Sequence, residues 1–398
     1  MSPDTTSRKA LPRTVWALGF TSLFMDVSSE LVHGLLPLFL VVNLGASAAV
    51  LGLVEGIAEA AAQVVKVFSG WLSDRLQRRK ALAVAGYGLA ALTKPLFPLA
   101  GSVALVAAAR VLDRLGKGIR GAPRDALVAD VTPPEQRGAA FGLRQSLDTI
   151  GATIGPLAAI GLMALFDDDV RAVLWFAVIP ALISVAILIV FVRDPGPPAS
   201  RAGALKRVPI ELGQLGVLGR FYWFVAGAGA VFTLARFSEA FLVIRAYGTG
   251  LPLAFAPAVI AVMSLVFAVT AYPAGRLQDR FGARPLLVAG LAVLIAADLL
   301  LAFGSGIFAV FLAIGLWGLH LGLTQGVLSA LVAHAAPAHV RGTAFGVFGL
   351  TVGVTTLAAS VIAGVLWDAV SPEATFLAGA ARGRAMVAFL ALKPGARA

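Results

Sequence analysis

The chain has 398 residues, of which 59% are hydrophobic and 13% charged, with a formal net charge of +11 and a mean hydropathy of +0.89. Soluble domains carry roughly a quarter charged residues, so the polar side chains needed to coat a water-soluble core are missing, and lipid is the solvent for most of the surface. The lysines and arginines fall in short loops between apolar runs, which sets nucleic acid aside as a partner, and the lack of cysteine excludes disulfides and thiol chemistry.

A transmembrane helix needs about 20 mostly apolar residues. The polar stretch Met1 to Arg13 precedes the first such run, 14–43, which reads as a span and not a removable signal: it contains Asp26 and Glu30 and lacks a small-residue cleavage site. Further spans are predicted at 48–71, 80–100, 103–130, 138–165 and 171–192. A polar, Pro- and Gly-rich connector occupies 193–220, and six more spans follow at 221–246, 252–275, 284–304, 307–334, 342–367 and 374–392. Backbone groups in hydrocarbon find no water, and no segment alternates like a barrel strand. The expectation is therefore an all-α membrane protein of twelve transmembrane helices, divided as 1–192, a connector 193–220, and 221–398.

Basic residues orient the spans. Arg8, Lys9 and Arg13 precede span one; Arg75, Arg78, Arg79 and Lys80 follow span two; Arg137 follows span four. Arg193, Arg201, Lys206, Arg207 and Arg220 fill the connector, and Arg276, Arg280 and Arg284 follow span eight. The alternate loops, among them NLGAS, AGS, GSG and WDAVSPE, are neutral or acidic. The positive-inside rule then places both termini and the connector in the cytoplasm, with the chain multi-pass in the membrane.

The sequence also repeats itself. GWLSDRLQRRK, starting at Gly70, recurs as GRLQDRFGARP at Gly275, 205 positions later; PPEQRGAAFG at Pro133 recurs as PAHVRGTAFG at Pro337, 204 positions later. Two independent segments at one offset mark a duplication of a six-span half. Parallel repeats of this kind place a substrate site between the halves near the bilayer midplane.

On these residues the chain resembles the major facilitator superfamily over essentially its whole length. The loop after span two is similar to that family's motif G-x-L-x-D-R-x-x-x-R-R/K, with Gly70, Leu72, Asp74, Arg75, Arg79 and Lys80 at its positions; Gly275, Leu277, Asp279, Arg280 and Arg284 form the second copy. RLGKGIRGA in span four resembles the R-x-x-Q-G-x-x-x-A signature of proton-coupled members, with Arg114 at the Arg position and Lys117 replacing Gln. GATIGP, from Gly151 to Pro156, resembles the antiporter motif G-x-x-x-G-P-x-x-G-G, although Ala159 and Ile160 stand where the final glycines belong. The segment MDVSSELVHGLLP is similar to a prokaryotic branch that brings no substrate with it. The resemblance implies the major facilitator fold: two pseudo-symmetric six-helix bundles, with spans one, four, seven and ten lining a central cavity. It also implies a gating set of Gly70, Asp74, Arg75, Arg79, Gly275, Asp279, Arg280 and Arg284. In physical terms Gly70 permits close helix approach and Asp74 can accept from exposed N–H groups at a neighbouring helix end. Arg75 and Arg79 can pair with acidic groups and close that face.

An ionisable residue at the bilayer centre costs roughly 2.5–3.5 kcal/mol on insertion scales, so it marks function by default. The candidates for proton coupling or the substrate cavity are Asp26 and Glu30 in span one and Glu55 and Glu59 in span two. Span four adds Asp113, Arg114, Lys117, Arg120 and Arg124, and span seven adds Arg236 and Glu239. Asp26 and Glu30 are four apart on one helix face, as are Glu55 and Glu59, while Asp113, Lys117, Arg120 and Arg124 form a stripe. A carboxylate on a cavity helix, Glu30, Asp26 or Glu59, can load and release a proton as access alternates; Arg114 would stabilise it or bind an anionic substrate. Lys66, Lys94, Arg144, Asp148 and Asp298 read as buried ion pairs, and Arg382 and Arg384 as side chains snorkelling toward headgroups. His33, His320, His334 and His339 do not cluster at metal-ligand spacing, so no metal or other cofactor is expected.

The leading expectation is a monomeric secondary active transporter that exports a small molecule by proton antiport. The alternative is a facilitator or importer of a small anion, using Lys117, Arg120 and Arg124. A membrane-embedded lipid-modifying enzyme finds no support, since HExxH, GxSxG and cysteine are all missing.

Overall fold

A computed structural model describes residues 11–76, 78–194, 217–337 and 340–392. Arg8, Lys9, Arg201, Lys206, Arg207 and His339 lie outside the described residues, as does most of the connector, and the Asp74 side chain is outside the description too.

The first half comprises α1 (Arg13–Leu38), α2 (Ala48–Leu76), α3 (Arg79–Thr93), α4 (Leu96–Leu99), α5 (Val103–Val131), α6 (Arg137–Leu165), α7 (Val170–Phe176) and α8 (Val178–Phe191). The second comprises α9 (Arg220–Ala235), α10 (Ala240–Gly248), α11 (Pro257–Phe281), α12 (Ala283–Phe303), α13 (Gly306–Ala335), α14 (Arg341–Ala369) and α15 (Pro372–Leu392). Three predicted spans are each divided between two helices: α3 with α4, α7 with α8, and α9 with α10. The described residues thus form twelve spans in two six-span bundles, the major facilitator fold. Ten of the spans are long and apolar enough to cross a membrane by length and composition alone.

Local chemistry explains several boundaries. Ser102 accepts the Leu105 N–H (3.3 Å) at the start of α5, and Asp169 accepts from Arg171 (2.9 Å) and Ala172 (3.2 Å) at the start of α7. Pro95 has no N–H to continue α3, so the helix ends there with Lys94 fully buried at the break. Gly282 adopts φ +80°, which lets the chain turn sharply between α11 and α12 inside the second loop motif. The break between α9 and α10 holds neither glycine nor proline; there the Ser238 N–H donates to Ser360 Oγ of α14 (3.2 Å) instead of continuing a helix.

Within the first half α1 packs on α6 and α8, and α5 on α2 and α3; within the second, α13 packs on α11 and α12. The halves meet along α2 and α14, and more sparingly along α6 and α11. A Cβ at Gly56 would lie 2.8 Å from Leu357, and one at Gly353 would lie 3.0 Å from Gln63, so glycines let α2 and α14 approach closely.

Burial is unequal at the two ends of the bundle. At the end opposite the loop motifs, a single apolar cluster joins both halves: Phe39, Leu51 and Phe97 share it with Phe241, Trp317 and Phe376. Toward the loop-motif end the clusters are separate, one in the first half and two in the second. Asp368, at the C-terminal end of α14, accepts from the N–H groups of Ala48 (3.0 Å) and Ala49 (2.7 Å) and so caps α2 across the halves. The far end is sealed, and the space between the halves opens from the loop-motif end.

Candidate functional site

The sealed end leaves a cavity of about 340 Å³ among α1, α2, α5 and α6, with Ser264 and Phe267 of α11 supplying wall from the other half. Of the residues singled out from sequence, Asp26, Glu30, Glu59, Lys117, Arg120 and Arg124 line it. Lys66, Asp125 and Asp148 line it as well. The helix periodicity that placed Asp26 and Glu30 on one face brings them together here.

Other sequence candidates lie behind the cavity wall in tight pairs. Arg110 donates to both Glu55 oxygens, at 3.0 and 2.8 Å, in a bidentate pair with both residues buried. Lys94 donates to Asp113 (2.8 Å) and to Ser29 (3.2 Å), so Asp113 turns away from the stripe predicted along α5. Arg144 also bonds Asp148 within α6, in a pair that reaches the cavity through Asp148. These pairs give the membrane charges the partners that a low-dielectric interior demands.

The cavity carboxylates are held more loosely. Asp26 has its cationic neighbour, Arg120, at 3.9 Å. Among the described residues Glu30 bonds only His33, at 3.2 Å on its own helix. Glu59 accepts from Gln63 at 2.8 Å and lies in the fields of Arg114 and Lys117 without direct contact. Arg120 stacks over the Tyr87 ring, 4.7 Å from its centroid, and Arg124 donates to Ser22 (3.0 Å) and Asp125 (3.1 Å). Arg236 and Glu239 flank the break between α9 and α10, and neither of these expected cavity residues lines the cavity. The break lies at the sealed end, since Ala235, Phe237 and Ala240 belong to the apolar cluster that joins the halves there.

The loop motifs occupy the open end. Arg79 pairs with Asp130 at 2.8 Å in its own half. Arg75 lies over the Trp71 ring at 5.3 Å, and Arg280 over Phe281 at 5.2 Å. Asp279 is exposed, and Arg284 lies in α12 immediately after the turn at Gly282. Ala122 Cβ would be 3.4 Å from a Cβ at Gly70, whereas Gly275 faces open space.

Two residues have partners that the sequence did not announce. Asp368 appeared only as an acidic loop residue, and its cap on α2 has no local signal. Arg382 was expected to snorkel, but it donates to the Leu234 carbonyl (3.1 Å) near the end of α9, where helix carbonyls lose their own partners. Asp298, which is fully buried, accepts the Trp317 indole N–H at 3.1 Å.

The geometry can be set beside known proteins. The model of the Major Facilitator Superfamily matches residues 18–265 and 240–395. An uncharacterised transporter of that type from Methanocaldococcus jannaschii is 31% identical, covering 93% of this chain and 92% of the relative. The multidrug resistance protein MdtH of Aeromonas hydrophila is 26% identical, covering 89% of this chain and 87% of its own length. Among solved structures, the nucleoside transporter NupG superposes with a TM-score of 0.78 at 13% identity, covering 95% of this chain and 99% of that one. With the family model matched along both halves and the archaeal relative aligned nearly end to end, this chain belongs to the Major Facilitator Superfamily of membrane transporters.

Proposed function

We propose that this transporter is secondary active, and that it exports a small molecule in exchange for protons by rocking its halves about the central cavity. The observation that carries the reading is the looseness of the cavity carboxylates. Asp26, Glu30 and Glu59 line the open space, and none of them has the bidentate partner that Arg110 gives Glu55. A membrane carboxylate without a firm counter-ion gains most from taking up a proton, and its release on the other side would couple the proton gradient to rocking. Export is favoured over uptake by the partial antiporter motif at Gly151–Pro156 and by kinship with a protein named for multidrug resistance. In this reading the loop-motif end faces the cytoplasm of a prokaryotic cell, both termini lie on that side, and the motif residues form the gate that closes there. The protein works as a monomer in the inner membrane.

A second reading, facilitated or inward movement of a small anion, draws on Lys117, which faces the cavity. Arg120 and Arg124 contribute less to it, because Tyr87, Ser22 and Asp125 already engage them.

The test uses purified protein in vesicles loaded with a pH-sensitive dye and offered a panel of cationic, neutral and anionic compounds under an imposed proton gradient. Wild type should show compound-triggered proton movement that Glu30→Gln and Glu59→Gln remove. Undiminished proton movement in Glu30→Gln, Glu59→Gln and Asp26→Asn alike would refute coupling through these carboxylates.

A further inference from the structure

The duplication that relates the halves also relates two buried pairs, and the pairs differ in charge. In the first half Lys94, at the end of α3, donates to Asp113 of α5 at 2.8 Å. The residues 204 positions later are Asp298 and Trp317. These two are bonded as well, the Trp317 indole N–H of α13 donating to Asp298 Oδ1 of α12 at 3.1 Å. A neighbouring contact repeats in step: Gly86 faces Arg120, and Gly290 faces Thr324, again 204 positions on. The register is kept, but the salt bridge is not. The membrane cost of charge predicted an ion pair for Asp298, yet among the described residues it has none within 4.0 Å.

Asp298 is 0% exposed, and Leu294, Ala297 and Leu301 of its own helix belong to the apolar cluster that seals the far end. Its second oxygen, Oδ2, receives no donor from the described residues. What adjoins that oxygen is an acceptor. A Cβ built on Gly379 of α15 would lie 2.5 Å from Oδ2 and 3.3 Å from the Ala235 carbonyl oxygen, so both oxygens border the gap that this glycine leaves. Ala235 is the last residue of α9, so its carbonyl has no intrahelical donor and belongs to the negative end of the helix dipole. An ionised Asp298 would be a buried anion beside a second negative group, with no counter-ion.

The charged groups around α12 are engaged elsewhere. Arg382, three residues along α15 from Gly379, donates to the Leu234 carbonyl. Arg245 of α10 donates to Glu373 and to the Leu301 carbonyl. His320 of α13 bonds the Gly290 carbonyl. Arg384 of α15 is exposed, and the charged residues of α11 stand in the loop motif at the other end of the bundle.

We propose that Asp298 keeps its proton while the far end is sealed and, as a neutral acid, donates it from Oδ2 to the Ala235 carbonyl while Oδ1 accepts from Trp317. One uncharged group then ties α12 and α13 to the end of α9. The Trp317 ring also lies against Phe237 inside the break, at 5.6 Å, so the acid braces the break from two sides. Asp298 does not line the cavity, and proton traffic is left to the carboxylates that do.

Infrared spectroscopy of the purified full-length protein tests this. A protonated carboxyl group has a C=O stretch above the amide band, and an ionised one does not. The difference between wild type and Asp298→Asn should contain that acid band throughout a pH series around neutrality. Trp317→Phe removes the donor to Oδ1 and should move the same band to higher frequency, a shift visible against wild type even if Asp298→Asn fails to fold. Carboxylate bands in place of the acid band, or an acid band that Trp317→Phe leaves in place, would overturn the proposal. Asparagine keeps one donor and one acceptor, so Asp298→Asn should match the wild type in thermal midpoint. The same exchange in the charged pair, Asp113→Asn, strips Lys94 of its counter-charge and should lower the midpoint by several degrees. An equal fall in both variants would also overturn it. Compound-triggered proton movement in vesicles should survive Asp298→Asn, and its loss there would fail this inference while sparing the transport reading. The spectra need no transported compound, so vesicles silent to every compound would fail the transport reading alone.

Discussion

Asp368 offers a quantitative test of how the far end is sealed. Its two oxygens accept the N–H groups of Ala48 and Ala49, at 3.0 and 2.7 Å, so one carboxylate of the second half satisfies two orphan donors of a first-half helix. Replacing a capping carboxylate by alanine costs about 1 kcal/mol, within a range of about 0.5–2. The contact exists only while the far end is closed, so Asp368→Ala should raise the open fraction about fivefold. The chain has no cysteine, so a single introduced thiol reports without interference. Ala359 is 0% exposed within the cluster that joins the halves. The maleimide labelling rate of Ala359→Cys should therefore rise about fivefold when Asp368→Ala is added. Ala90, equally buried in a cluster confined to the first half, controls for general loosening. An unchanged rate at position 359, or an equal increase at position 90, would refute the assignment of Asp368 as a seal between the halves.

Other outcomes follow from the same contacts. Arg110→Met leaves the Glu55 carboxylate buried without its bidentate partner. It should destabilise the protein by about 3–5 kcal/mol, seen as a large fall in thermal stability in detergent, and adding Glu55→Leu should restore most of the loss. Gly56→Leu drives a side chain into the Leu357 backbone of α14, so it should prevent close contact of α2 with α14 and abolish transport while insertion persists; full transport would contradict the tight packing. Arg382→Leu frees the Leu234 carbonyl and should lower thermal stability by about 1–3 kcal/mol, whereas a snorkelling arginine would be replaced at almost no cost.

The spans were legible because each is a long apolar run in a chain with few charges, and the duplication was legible because two motifs share one offset. The breaks were less so. Pro95 announces the end of α3, but nothing in the residues around Ser238 announces a break; Ser360, on another helix, holds that N–H. The charge stripe along α5 followed helical period correctly as far as one helix can. Which of its members reach the cavity depends on neighbours: Lys94 draws Asp113 away, while Lys117, Arg120 and Arg124 line it. Asp368 and its partner Ala48 are separated by 320 positions, a pairing that only the approach of α2 to α14 creates. The membrane cost of charge singled out the ionisable residues, and packing decided which of them line the cavity and which are closed in pairs behind it.

The central claim is that proton occupancy of the cavity carboxylates sets which end of the bundle is open. Spin labels on introduced cysteine pairs, one pair spanning the halves at the loop-motif end and one at the far end, measure both gaps in the same preparation across a pH series. The account predicts that the two distances change in opposite senses with pH and that Glu30→Gln together with Glu59→Gln removes the response. Distances that stay fixed, that move together, or that respond to pH equally well in the double variant would contradict it.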